Sequence, residues 1–135
     1  MGSLFRKDPR QRLREALEKH DWNRFRSVIE DHPELVNLGL ENKRRLLHVA
    51  VLMGDLPTVQ VLIESNADIN AVDHEGKTPL HLALIDGNIK IAQYLIENNA
   101  DVSIRDGEGA TALTLASFLG HKSIARMIRS TGANH

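Results

Sequence analysis

Residues 73–105 read DHEGKTPLHLALIDGNIKIAQYLIENNADVSIR. Within this stretch Thr78 can cap a helix whose first residue is Pro79, where a missing N–H costs nothing. Leu80, Ala83 and Leu84 form an apolar stripe, and Gly87 supplies a left-handed stop. Asn88 can start a second helix with Ala92, Leu95 and Ile96 facing inward, and Asn99 is its left-handed stop. Residues 100–106 lose the helical period, and Asp106-Gly107 signals a tight turn. The stretch is two short helices and a turn.

The same pattern recurs outward in both directions. Displaced by 33 positions, residues 40–72 match 73–105 at 11 of 33 positions, among them Leu47/Leu80, His48/His81, Gly54/Gly87 and Asn66/Asn99. Residues 73–102 match 106–135 at 11 of 30, among them Asp73/Asp106, Gly76/Gly109, Thr78/Thr111 and Gly87/Gly120. Chance at average composition gives roughly two. A period of this length marks a stacked array of one supersecondary unit.

Asp73, Gly76, Thr78-Pro79-Leu80-His81, Ala83, Gly87, Leu95 and Ala100-Asp101-Val102 resemble an ankyrin repeat in register. The resemblance is strong over 40–135. It extends weakly to 7–39, where Leu13, Ala16-Leu17, Asp21, Phe25, Val28-Ile29 and Val36-Asn37 keep the helix-pair outline. It implies an all-α repeat solenoid of paired antiparallel helices joined by β-hairpin-like turns. The chain is then one domain over 1–135: a degenerate N-cap repeat at 7–39, internal repeats at 40–72 and 73–105, and a C-cap repeat at 106–135.

Departures from the pattern carry their own expectations. Lys43, Arg45 and Leu46 stand at the places of Gly76, Thr78 and Pro79, which puts the first hairpin tip in question. In the last unit Ala112 and Thr114 replace Pro79 and His81. Ser117 stands where Val51 and Leu84 stood, and Arg129 where Ile63 and Ile96 stood. A stack needs a polar outer face to stay soluble, so these swaps mark a C-terminal cap at which the domain is expected to finish. At the other end Asp8-Pro9 and Asp21 are helix starts, the second helix ending before Pro33. Leu13, Leu17, Trp22, Phe25 and Ile29 would cover the first full repeat, leaving Arg10, Arg12, Arg14, Arg24 and Arg26 in water.

Composition narrows the function classes. The 135 residues carry 17 Lys+Arg and 18 Asp+Glu, a net charge of −1, so a general polyanion binder is not expected. Residues 1–45 hold 11 bases and 8 acids, residues 46–121 hold 3 and 10, and residues 122–135 hold 3 and none. The absence of cysteine excludes disulfides, thiolate zinc sites and a thiol nucleophile. No apolar run reaches the ~20 residues of a membrane span, and the start lacks a secretory core. Met1–Arg6 opens like a myristoylation site, but Arg6 stands where Ser or Thr belongs. Gly2-Ser3 therefore reads as ordinary sequence or a cloning remainder. An intracellular protein, cytoplasmic or nuclear, is the expectation.

Nothing in the sequence singles out an enzyme. His48 and His81 sit on equivalent helices, roughly 8–10 Å apart if adjacent, too far to share a zinc with bonds of ~2.0 Å. The resemblance implies that they brace the neighbouring turn. His20, His32, His74, His121 and His135 show no paired spacing and read as surface residues. Gly107-Glu108-Gly109 lacks the Lys-Ser/Thr and the strand of a phosphate loop. Asp68, Asp73, Asp101 and Asp106 follow the repeat. Spacing leaves a Ser/His/Asp arrangement open, without marking a nucleophile. No metal and no cofactor are expected.

What remains is surface. The resemblance implies a concave side of hairpin tips and first helices whose side chains are free to encode a partner. Its residues are Asn42 and Arg44, then His74, Glu75 and Lys77, then Glu108, with Leu52-Met53, Ile85-Asp86 and Phe118-Leu119 at the ends of the first helices. Five of those last six are apolar, and charges of both signs surround them, the layout of an apolar centre and polar rim. The reading is a non-catalytic protein-binding module, monomeric on its own, of the kind that serves as adaptor, inhibitor or assembly subunit, with Phe118 and Met53 as anchors. One alternative is contact of the basic N-terminal helices with anionic lipid or nucleic acid, against which the lack of interleaved aromatics argues. Another is a regulatory fragment of a larger enzyme. Leu62, Asp68, Ile69 and Asn70 also resemble the pattern accepted by the asparaginyl hydroxylase of ankyrin repeats, although Asn70 is more simply a hairpin residue.

Overall fold

A computed structural model describes residues 8–131. The myristoylation-like opening at Met1–Arg6, and His135, lie outside the described residues. Among the described residues eight α-helices form four antiparallel pairs: α1 (Pro9–Glu18) with α2 (Trp22–Asp31), α3 (Leu46–Met53) with α4 (Leu56–Glu64), α5 (Pro79–Ile85) with α6 (Ile89–Glu97), and α7 (Ala112–Phe118) with α8 (Lys122–Ser130). The inner helices α3, α5 and α7 pack side by side in one layer, and α2, α4, α6 and α8 in a second.

Each pair forms for local reasons. Asp8, Asp21, Asp55, Thr78, Asn88 and Thr111 each accept a hydrogen bond from a first-turn N–H, so those six helix starts are capped. Pairs this short cannot bury an apolar face alone. Leu47, Ala50, Leu62, Leu80, Ala83, Ile91 and Leu95 become fully buried only because neighbouring pairs stack on them. Asp55, Asn88 and His121 start the second helices at intervals of 33, whereas Asp21 precedes Asp55 by 34. The N-terminal pair therefore carries a one-residue shift, and His20 (φ +54°) takes the left-handed place held elsewhere by glycine.

At the N-terminal end Leu13, Phe25 and Ile29 are buried, while Leu17 and Trp22 are half-buried against the core. Not all five arginines face water. Arg12 is half-buried, and Arg26 is drawn onto the next repeat, its Nη1 3.1 Å from both Asp55 Oδ2 and Thr58 Oγ1. That bridge ties α2 to the start of α4, because the same Asp55 Oδ2 that caps the helix by accepting the Thr58 N–H also accepts from Arg26. At the other end Ser117, Arg129 and Thr114 are exposed. Their counterparts Val51, Leu84, His48, His81 and Ile96 are buried, and Ile63 is half-buried.

The tips are hydrogen-bonded turns rather than strands; among the described residues the β-type pairing is a lone bridge between Gly39 and Arg45. Asp73 N–H bonds Lys77 O at 3.0 Å and Asp106 N–H bonds Ala110 O at 2.9 Å. The first tip, questionable from its sequence, closes the same way, Leu40 N–H to Arg44 O at 2.8 Å. It does so with Lys43 at φ +60° where the other tips use Gly76 and Gly109, and with Asn42 at φ +61°. Such angles cost a side-chain-bearing residue about 1–2 kcal/mol.

Lys43→Gly is therefore expected to raise stability by about 0.5–1 kcal/mol in urea unfolding. A Cβ at Gly76 would stand 2.8 Å from the Gly107 backbone nitrogen, whereas one at Gly109 meets nothing within 4 Å. Gly76→Ala should cost about 3 kcal/mol and Gly109→Ala about 1 kcal/mol. Equal losses would show that the tips are not packed as described.

Candidate functional site

Two buried histidines fix the tips. His48 Nδ1 accepts Arg45 N–H at 3.0 Å, which leaves Nε2–H to donate to Lys77 O, also at 3.0 Å, in the next tip. His81 repeats this, with Nδ1 accepting Thr78 N–H at 3.1 Å and Nε2–H donating to Ala110 O at 2.9 Å. Both nitrogens of each ring are thus spent on the backbone. The tips then join directly, His74 N–H to Asn42 O at 2.9 Å and Gly107 N–H to Glu75 O at 2.8 Å. Within each tip the Asp73 and Asp106 Oδ1 atoms each accept two N–H groups at 2.9 Å. Behind them Asn37 and Asn70 Oδ1 accept the N–H of Asp68 and Asp101, each at 2.8 Å. Asn70 is thus a link between repeats.

The candidate contact residues on this framework differ in exposure. Asn42, His74, Glu75, Asp86 and Glu108 are exposed, and Arg44 and Lys77 are half-buried. Among the apolar residues at the helix ends, Met53 is 49% exposed, Ile85 45%, Phe118 85% and Leu119 41%. Leu52 departs from expectation. It is half-buried and packs against the core. Val72, 44% exposed at the foot of the second tip, is a further apolar residue there. Its alignment with the exposed Arg105 one period on was the available signal.

His121 is not a simple surface residue. Its Nε2 lies 2.9 Å from Leu84 O, across the junction between α5 and α8. The bond spans two repeats, which spacing within one repeat could not reveal. His20 is exposed and stacks on Trp22. His32 lies 3.3 Å from Glu34, and His74 Nδ1 lies 3.3 Å from Asn42 O.

The electrostatics are those of a scaffold. Burial holds the His48 pKa below its ordinary 6.5, against the opposing pull of its bond to Lys77 and of the Asp73 charge. For Asp106 burial alone would raise the pKa, but the N–H groups of Ala110 and Glu108 more than offset it and the net shift is downward. Asp73, His74 and Glu75 bring one ligand atom each within 4.8 Å. Lys77 Nζ sits 3.9 Å from Glu75, a cation already in place. At the N-terminal end a cleft of about 640 Å³ opens between α1 and the first tip, lined by Arg14, Leu17, Glu18, Asn42 and Arg44 among others. Arg44 Nε and Asp73 Oδ2 are buried without a hydrogen-bond partner. No helix among the described residues is long and apolar enough to cross a membrane.

A family model described as ankyrin repeats, in three copies, matches residues 47–135. The chain is also similar to the serine/threonine-protein kinase VIK of Arabidopsis thaliana, 40% identical over 61 residues. Those residues are 45% of this chain and 14% of the kinase.

The histidine network makes stability depend on pH. Because the folded pKa of His48 lies below 6.5, the unfolded chain takes up a proton on acidification that the folded chain refuses. The contribution is whole above pH 6.5 and is lost as pH falls toward the folded pKa. Thermal unfolding is expected to drop by several degrees between about pH 7.5 and 5.5, and His48→Gln, less stable at every pH, should show a shallower drop. Parallel pH profiles would remove His48 from this role.

Proposed function

The chain belongs to the ankyrin-repeat family, and from that premise we propose that it is a non-catalytic protein-binding module. Ankyrin repeats are in general protein-interaction modules. The finer reading is that Asn42, Arg44, Met53, His74, Glu75, Lys77, Ile85, Asp86, Glu108, Phe118 and Leu119 form the concave contact surface. The partner is another protein, bound inside the cell by a chain monomeric on its own.

One observation carries this reading: four large apolar side chains stand exposed at equivalent or adjacent positions on three packed helices, with Phe118 almost fully in water. Exposed apolar area gathered in this way marks interaction sites more often than it marks chance. The mechanism is preorganisation. The tips are held to the helices and to each other by backbone and histidine bonds, so binding orders little and spends little entropy. A partner would cover about 800 Å² of this face, with Met53 and Phe118 as anchors in an apolar centre and Glu75, Asp86 and Glu108 at the rim.

A second reading, a regulatory segment of a larger enzyme, has the stretch shared with the kinase behind it. The contact face would be the same.

Phe118→Ala is expected to change unfolding free energy by less than about 0.5 kcal/mol, since an exposed side chain gives up little on truncation. Met53→Ala/Phe118→Ala should weaken a partner captured by the wild-type chain by about tenfold or more, measured by calorimetry on the purified pair. Unchanged affinity in the folded double variant would remove the anchors, and a collapsed melting temperature in Phe118→Ala would make Phe118 core.

A further inference from the structure

The face of the last helix pair carries a second feature, which the partner-binding reading does not use. A cleft of about 380 Å³ lies between the C-terminal part of α7 and the flank of α8, lined by Ala116, Ser117, Gly120, Lys122, Ala125, Arg126 and Arg129. Lys122, Arg126 and Arg129 stand at i, i+4 and i+7, one stripe of a helix, and all three are exposed. No ion pair or side-chain hydrogen bond engages them among the described residues. No acidic residue lines the cleft, and none follows Glu108 in the sequence.

The need to end a stack in polar residues does not account for this. One period earlier the equivalents of Lys122, Arg126 and Arg129 are Ile89, Gln93 and Ile96, and a period before that Leu56, Gln60 and Ile63. Any polar residue would make those positions soluble, and residues 46–121 draw ten acids against three bases from the same choice. Here every charge has one sign and faces one hollow. Three cations without counter-charges repel one another, a cost that a bound anion reverses.

We propose that this cleft is an anion site for a phosphate monoester, held by Lys122, Arg126 and Arg129 with the Ser117 hydroxyl beside them. Two guanidinium forks favour the geometry of a phosphate over that of a single carboxylate oxygen, and a dianion matches three cations better than a monoanion does. The phosphate could be a soluble phosphorylated group or a lipid headgroup. Phe118 and Leu119, exposed immediately after Ser117, would supply the apolar contact that a membrane surface adds to a basic patch.

Inorganic phosphate titrated into the isotopically labelled full chain at low salt is the test, read from the backbone amide signals of 117–129. A saturable shift in the millimolar range is expected, weakened about tenfold or more in Arg126→Gln/Arg129→Gln. Lys90→Gln, an exposed cation on α6, should leave it unchanged. A shift that never saturates, or that Lys90→Gln weakens as much, overturns the site in favour of diffuse attraction. Sedimentation with vesicles of phosphatidylcholine carrying a phosphoinositide then separates the sources. Co-sedimentation lost in both the double variant and Phe118→Ala assigns the phosphate to a headgroup. Phosphate binding without co-sedimentation assigns it to a soluble group.

Discussion

The hydrogen bond from a histidine Nε2–H to the backbone of the following repeat is the constraint from which the remaining geometry follows. It joins an inner helix to a tip 29 residues away at both His48 and His81, so it fixes where each tip stands relative to the helix layer. A bond of this kind contributes only about 1 kcal/mol net. Its weight lies in what its loss would leave: a buried ring N–H without an acceptor, and a tip whose Lys77 or Ala110 carbonyl is held only from within by the N–H of Asp73 or Asp106. With the tips fixed, their carbonyls and N–H groups fall into register with one another. The exposed side chains of the tips are then not needed to hold them together, and they are free to vary.

The helix layer was legible in the sequence because its determinants are local and periodic. Caps at Thr78 and Asn88, left-handed stops at Gly87 and Asn99, and apolar stripes recurring every 33 residues act within a few residues of one another. What the sequence hid was of two kinds. Contacts between repeats at irregular offsets left no periodic trace, as with Arg26 reaching Asp55 and Thr58 and His121 reaching Leu84. The other kind is backbone strain that a residue tolerates without advertising it. Lys43 carries no turn signal, yet the tip closes around it, because the neighbouring tip binds the Asn42 carbonyl and stacking offsets the cost of a left-handed lysine.

Of the candidate contact residues, those on the tips and helix ends came from register alone. Leu52 shows the limit of the method. Equivalent positions share a direction but not an environment, and exposure at this position rises from half-buried Leu52 through Ile85 to Phe118. Sequence period fixes the direction. Neighbours fix the burial.

That gradient bears on what Phe118 is for. An end effect explains why it is more exposed than Ile85, since no described repeat follows to cover it. It does not explain why the residue is phenylalanine. On the same two helices, three positions are polar where the preceding repeat is apolar: Ser117 for Leu84, Lys122 for Ile89, Arg129 for Ile96. Phe118 and Leu119 stand against that change, between Ser117 and Lys122. Leu119 takes the place of a charged Asp86 and is more apolar than its counterpart, the reverse of the trend around it. Two adjacent exposed residues that keep or gain apolar character, where the exposed Ser117, Lys122 and Arg129 around them have lost it, favour a surface that spends its working time covered.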